Sequence, residues 1–336
     1  MDYRWAERVA EKYLEDNNLL QLPVDPIAIA ENHGIIVEAK PASDVGVSGM
    51  LIKYGNHFGI AYATHIDVEG FQRFSIAHEL GHYLLPGHHE SILPGDGVHQ
   101  SRAGFISADK YEREADHFAA GLLMPRGLFA KEIDKRISGF EAIQKIAEVC
   151  KTSLTATAIR YTEFTPDPVA AVLSEGTRID WCFMSDELKE VGRIDWPKKG
   201  QPVPRDSVTH SFNKDLDNIK NGETEEGNSS FVDWFGGRRD FEIVEEVIGL
   251  GGYGKTLTVL TITEDLEDLE EFSYSVKFTY LIAYCGWFQF FLNKWDRASM
   301  SNSVEVRMPF LDPNVRLFSL ALSTDNKIRN GMSKSI

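Results

Sequence analysis

The twelve residues from Phe74 to Leu85, FSIAHELGHYLL, constrain this chain more than any other segment. Residues four apart share one face of an α-helix, so His78 and His82 stand one above the other, with Glu79 alongside. Ile76, Ala77, Leu80, Leu84 and Leu85 clothe the rest of that helix in apolar side chains. A helix of this kind packs into a core, and its imidazole face needs a second element to meet it. Two neutral imidazoles suit zinc and leave room for a third protein ligand and a water. Glu79, next to the first histidine, is placed to take a proton from that water, whose pKa a metal lowers towards about 7.

Two residues compete for the place of third ligand. His88 follows His78 at the spacing of the last histidine in metzincins, but Leu85 stands where that motif needs a glycine to turn the chain. Glu112 is the better candidate, in the string Tyr111-Glu112-Arg113-Glu114-Ala115-Asp116-His117-Phe118-Ala119-Ala120. The spacing predicts a helix from about Ala108 to Met124, with Glu112 and Asp116 on one face. One carboxylate can then bind zinc and the other can accept the free N–H of a ligating histidine. Glu114 points to another face and is expected to be a solvated charge. His88, His89 and His99 are expected in a loop over Gly87 to Phe105. Tyr111 and Arg160 are candidates for stabilising negative charge on a reacting oxygen.

The pattern implies an α+β chain: a mostly helical, zincin-like unit with a small sheet over residues 1–165, including a helix pair at its end. A β-rich mixed region follows over 166–271, regulatory or substrate-recognising, and then a separate segment over 272–336. Helices are predicted at Arg4–Asn17, after Pro26, at Gln72–Leu85, at Phe129–Ile137 and across Phe140–Phe164. Short strands are predicted at Ile35–Ala39, Val47–Lys53, Phe58–Ala63, Val169–Leu173 and Thr256–Thr263. Pro166-Asp167-Pro168 marks the boundary, and Glu264–Glu271, with six acidic residues in eight, reads as a solvated linker. The apolar stretch Phe278–Leu292 is short for a membrane span and reads as a buried helix.

The chain has 336 residues and a formal charge of -16, which argues against direct binding of nucleic acid, because phosphate contacts need clustered Lys and Arg. Cys150, Cys182 and Cys285 are scattered without metal-ligand spacing, so a reducing cytoplasm is expected and no disulfide framework. The charged start, Met1-Asp2-Tyr3-Arg4, gives no export signal, and no membrane partner is expected.

FSIAHELGHYLL followed by EREADHFAAGLLMP resembles the ImmA/IrrE metallopeptidases, which pair HExxH with a Glu-x-x-Ala-Asn/Asp-x-Phe-Ala helix ending Leu-Leu-Met-Pro. The likeness extends to about residue 263, through Asp233-Trp234-Phe235 and the apolar hairpin after Gly252. It implies His78, His82 and Glu112 as zinc ligands (manganese being an alternative metal) and Glu79 as general base. It further implies limited proteolysis of a helix-turn-helix transcriptional repressor, switching on mobile-element or stress genes. Pro86 departs from the histidine usual in that family, outside the ligand set. The competing class is a non-catalytic metal-binding sensor that binds a repressor.

Two further signals have structural explanations. Gly249-Leu-Gly-Gly-Tyr-Gly254-Lys255-Thr256 matches the phosphate-loop pattern letter for letter, yet the β-branched residues after it predict a strand where such a loop needs a helix. Ala142–Phe164 has the rhythm of a helix-turn-helix but no basic cluster, and reads as a structural helix pair. From about Trp287 to Ile336 the chain resembles part of the synthetase domain of asparagine synthetases, through Asp296-Arg297-Ala298-Ser299-Met300 and Ser303 to Asp312. The pyrophosphate-binding SGGxDS loop of those enzymes is missing from the sequence, so amide synthesis by this chain is not expected.

Overall fold

Helical spacing in the first residues is realised as α1 (Arg4–Asp16), which buries Ala6, Ala10 and Leu14. Asp25 caps α2 (Pro26–Asn32) by accepting from the N–H groups of Ile27 and Ala28, with Pro26 at the first helical position. Gly34 then takes φ +71° and turns the chain into β1 (Ile36–Lys40). β2 (Gly49–Tyr54) and β3 (His57–Ala63) form a hairpin before α3 (Glu69–Leu84), which carries both histidines of the key string. The structure is a computed structural model and describes residues 4–40, 46–101, 109–133, 137–191, 194–237 and 240–262, and, as strands only, 328–329 and 332–333.

After α3 come α4 (His88–Ile92), β4 (Gly97–Ser101), α5 (Lys110–Leu123), α6 (Arg126–Glu132), α7 (Gly139–Cys150) and α8 (Leu154–Thr162). Within the loop expected over Gly87–Phe105, the described residues to Ser101 form a short helix and a strand, because β4 finds a partner in β2. The first sheet has the order β1-β3-β2-β4, with β1 parallel to β3 and the other pairs antiparallel. Its register puts Val37, Ile60, Leu51 and His99 in one row across the strands. Leu51 and Ile60 are buried, so this row faces inward; the neighbouring row of Ile36, Gly59, Ile52 and Val98 faces out.

The second sheet is antiparallel throughout, in the order β6-β5-β9-β8-β7. Its strands are β5 (Val169–Glu175), β6 (Arg178–Met184), β7 (Thr224–Ser230), β8 (Glu242–Gly249) and β9 (Thr256–Thr261). Four short helices, α9 (Asp186–Glu190), α10 (Val208–Phe212), α11 (Leu216–Asn221) and α12 (Phe231–Phe235), lie between them in sequence. The α+β reading thus holds, helical with a small sheet first and strand-rich afterwards. Val169, Ala171, Leu173, Leu257 and Val259 join the same apolar core as Ala6, Leu80, Phe118 and Ile143. The chain divides into two compact units, Met1–Thr263 and Glu264–Ile336.

The glycine-rich string is the β8–β9 turn, with a short 3-10 turn at Gly251–Tyr253, and Lys255 forms an ion pair with Asp180 at 2.6 Å. The helix pair α7–α8 turns at Lys151, in a left-handed conformation, and Ser153 caps α8. Cys150 and Cys182 are buried free thiols. In the second unit, Ile328–Arg329 and Met332–Ser333 pair as an antiparallel ladder. The acidic segment 264–271, the apolar stretch 278–292, Cys285 and the motif residues 296–312 lie outside the described residues. Among the described residues no helix is long and apolar enough to cross a membrane.

Candidate metal centre

The site forms where α3 and α5 cross. Gly81, within the HExxH string, is the point of closest approach: a Cβ there would stand 3.1 Å from Phe118 Cδ1 and 3.2 Å from Ala115 Cα. A side chain at that position would push the helices apart. With glycine, Glu112 and Asp116, one turn apart around Ala115, come to rest against His78 and His82. Asp109 caps α5 by accepting from Tyr111 N at 2.7 Å and Glu112 N at 3.4 Å, which fixes the first turn where Glu112 stands.

The Nε2 atoms of His78 and His82 lie 3.0 Å apart. Glu112 Oε2 is 3.4 Å from His78 Nε2, and its Oε1 is 3.3 Å from His82 Nε2. His78 Nδ1 donates to Asp116 Oδ1 at 2.8 Å, which turns the Nε2 lone pair of that ring towards the cluster. One atom from each of His78, His82 and Glu112 falls within 4.8 Å of the others. Ligands about 2.0–2.1 Å from a tetrahedral zinc ion stand roughly 3.3 Å apart, so these separations fit a divalent cation. Two imidazoles and a carboxylate are also the donor types that such an ion takes.

Without an ion, the two facing nitrogens cannot both hold a proton. Burial opposes charge on His78, but hydrogen bonds with Asp116 and Glu112 outweigh it and raise its pKa to about 10. Burial takes His82 the other way, down to about 3, despite the hydrogen bond that Glu112 accepts and with the charge of His78 adding to the effect. Burial also opposes ionisation of Glu112, yet hydrogen bonds from His78, His82 and His99 hold it far below the usual carboxylate range. A cation among the three would take one lone pair from each residue.

Glu79 is fully buried and neither of its oxygens makes a hydrogen bond of ordinary geometry. Burial pushes its carboxyl up to about 7, with the charge of His78 and the Ser101 hydroxyl acting against that rise. Gly49 on β2 leaves the room for it, since a Cβ at Gly49 would lie 2.5 Å from Glu79 Oε1.

The remaining expected residues are placed elsewhere. His88 Nε2 donates to Glu114 Oε2 at 3.0 Å, so its ring is committed outside the trio. Glu114 is itself buried, which corrects the expectation of a solvated charge: Trp5 of α1 and His88 of α4 cover that face of α5. Tyr111 donates its hydroxyl to Ser91 Oγ at 3.1 Å. Arg160 is locked into a buried pair with Glu7 at 2.7 Å, which removes it as a group for a reacting oxygen. His89 stacks on Tyr83. His99, expected in a loop, instead reaches Glu112 from β4, with Nε2 at 2.9 Å from Oε1.

Residues 30–162 match the family model described as the IrrE N-terminal-like domain, Peptidase M78, a span that contains His78, Glu79, His82, His99, Glu112 and Asp116. Residues 255–336 match the asparagine synthase family model. No curated protein matches the chain. Among solved structures, a Mycobacterium tuberculosis transcriptional regulator aligns with a TM-score of 0.47 at 14% identity, over 76% of each chain.

Proposed function

We propose, starting from the IrrE N-terminal-like peptidase domain at residues 30–162, that the chain is a zinc-dependent endopeptidase performing limited proteolysis of one protein substrate. The observation that carries this reading is the convergence of His78, His82 and Glu112 beside a buried carboxylate, Glu79. His78, His82 and Glu112 would hold zinc, or manganese in its place. Asp116 keeps the proton of His78 on Nδ1, so that Nε2 is free to ligate. When bound, the metal supplies a Lewis acid able to polarise a peptide carbonyl and to acidify water. Glu79 accepts the proton of the attacking water on a carboxylate oxygen and returns it to the leaving amide nitrogen. Its enclosure among α3, Gly49 and Ser101 keeps bulk water from competing for that proton.

The substrate class follows from the resemblance of the two helices to the ImmA/IrrE peptidases: a helix-turn-helix transcriptional repressor. The β-rich region from residue 166 to 271 is assigned to substrate recognition or regulation, and the protein to the cytoplasm. The test is intact-mass analysis of a candidate repressor after incubation with the zinc-loaded protein and with Glu79→Gln. One discrete cut made by the native protein alone supports the reading. A repressor captured in a metal-dependent complex but never cut would replace it with a non-catalytic metal-binding regulator.

A further inference from the structure

The sheet presents two polar side chains to the helix-borne site from a single edge strand. His99 and Ser101 are two residues apart on β4, so both face inward, alongside the buried Leu51 on β2. His99 donates from Nε2 to Glu112 Oε1 at 2.9 Å, and its ring lies 4.7 Å from that of His82, edge to face. Ser101 pairs in register with Gly49, the residue whose missing side chain admits Glu79. From this strand, His99 makes its hydrogen bond to Glu112, while Ser101 stands opposite Gly49 beside Glu79.

We propose that His99 is a positioning residue for the third metal ligand: it holds the carboxylate of Glu112 in the rotamer that faces His78 and His82. This inference rests on the endopeptidase reading of the same cluster. Its physical ground is that Glu112 rises from the first turn of α5 on a side chain with three rotatable bonds, and the Asp109 cap fixes only its backbone. Both Glu112 oxygens face imidazole nitrogens, Oε2 towards His78 and Oε1 towards His82 and His99. Of these three rings, His99 alone comes from the sheet, so it alone ties the carboxylate to an element other than the two crossing helices. A carboxylate ligand held in this way by a hydrogen bond from outside the ligand set binds its metal more tightly, and loss of such a partner costs about 10–100-fold in affinity.

The test is chelator competition with zinc on the full chain, with no peptidase assay required, for native protein, His99→Ala, His99→Gln and Val98→Ala. His99→Ala should weaken zinc binding about 10–100-fold with stoichiometry kept at one, and His99→Gln, which retains a donor, should recover part of the loss. Val98→Ala, on the exposed face of the same strand, should bind like the native protein. The cobalt-loaded forms should keep the native visible absorption band in His99→Ala, because a positioning residue is not a ligand. A changed band would make His99 a ligand and overturn the proposal. So would native affinity in His99→Ala, or an equal loss in Val98→Ala, which would trace the effect to the strand. If the native chain binds no zinc, the endopeptidase reading itself falls, an outcome separate from any difference between variants.

Discussion

The helix that carries Glu112 is held by a lock at the far end of α5, and replacing Arg160 by Met tests how much that lock contributes to stability. Arg160 donates from Nη1 to Glu7 Oε2 at 2.7 Å and from Nη2 to the Met124 carbonyl at 3.1 Å, where α5 ends. His117 Nδ1, on the same helix, reaches Glu7 Oε1 at 3.0 Å. One buried carboxylate on α1 therefore ties α5 and α8 together, and Glu163, on the exposed side, shares the guanidinium at 3.1 Å. Burial opposes ionisation of Glu7, but His117 and Arg160 overcome it and hold its pKa at about 2, against an ordinary value of 4.5.

At about 1.4 kcal/mol per unit, that depression is worth on the order of 3 kcal/mol, in the range of about 3–5 kcal/mol for orphaning one member of a buried pair. In a unit of this size about 1 kcal/mol corresponds to roughly 2–4 °C, so a loss of about 3 kcal/mol should make Arg160→Met melt roughly 6–12 °C below native at pH 7. Because the folded pKa lies below the unfolded one, the contribution is complete above 4.5 and fades as pH falls towards about 2. Melting followed by circular dichroism from pH 7 to pH 2.5 should show the native protein losing more stability on the acid side than the variant does. The double variant Glu7→Gln/Arg160→Met, which leaves no orphaned charge, should regain most of the loss. An Arg160→Met protein that melts within a degree or two of native, with an unchanged acid limb, would refute the reasoning.

Three shorter predictions concern the site itself. Glu112→Ala should lose stoichiometric zinc, read by metal analysis after gel filtration, while Glu79→Gln retains it. Asp116→Ala should weaken zinc binding about 10–100-fold through the freed His78 ring, and Asp116→Asn by less, since an amide oxygen still accepts from Nδ1. Gly81→Val should lower both the melting temperature and the zinc affinity, because its side chain meets Ala115 and Phe118 at the helix crossing. Unchanged affinity in a destabilised Gly81→Val protein would separate the crossing from the site.

What the sequence disclosed about the site was its helical half. His78 with His82 and Glu112 with Asp116 are pairs four residues apart, and helical spacing alone puts each pair on one face. The third contributor, β4, is a five-residue strand whose inward positions are His99 and Ser101 where an ordinary strand has apolar residues. The alternation that announces a strand is erased at the positions that serve the site, so the segment read as loop. Glu114 departs from expectation for a related reason. Its face of α5 does differ from that of Glu112, but it is covered by Trp5 and His88 from distant parts of the chain, and no local pattern carries that information.

The placement of α5 shows why neither half suffices alone. At Gly81 the helix meets α3, and its own Gly121 meets α1, where a Cβ would lie 2.8 Å from Glu7 Cα. Each close approach removes a degree of freedom that the side chains of Glu112 and Asp116 could not restrain themselves. The crossing sets how far the carboxylates stand from the imidazoles, and the Glu7–Arg160 lock fixes the helix along its length. The β4 strand then sets which way Glu112 points. All three bear on where His78, His82 and Glu112 stand, and two of the three depend on contacts between residues more than a hundred positions apart or on a strand too short to announce itself.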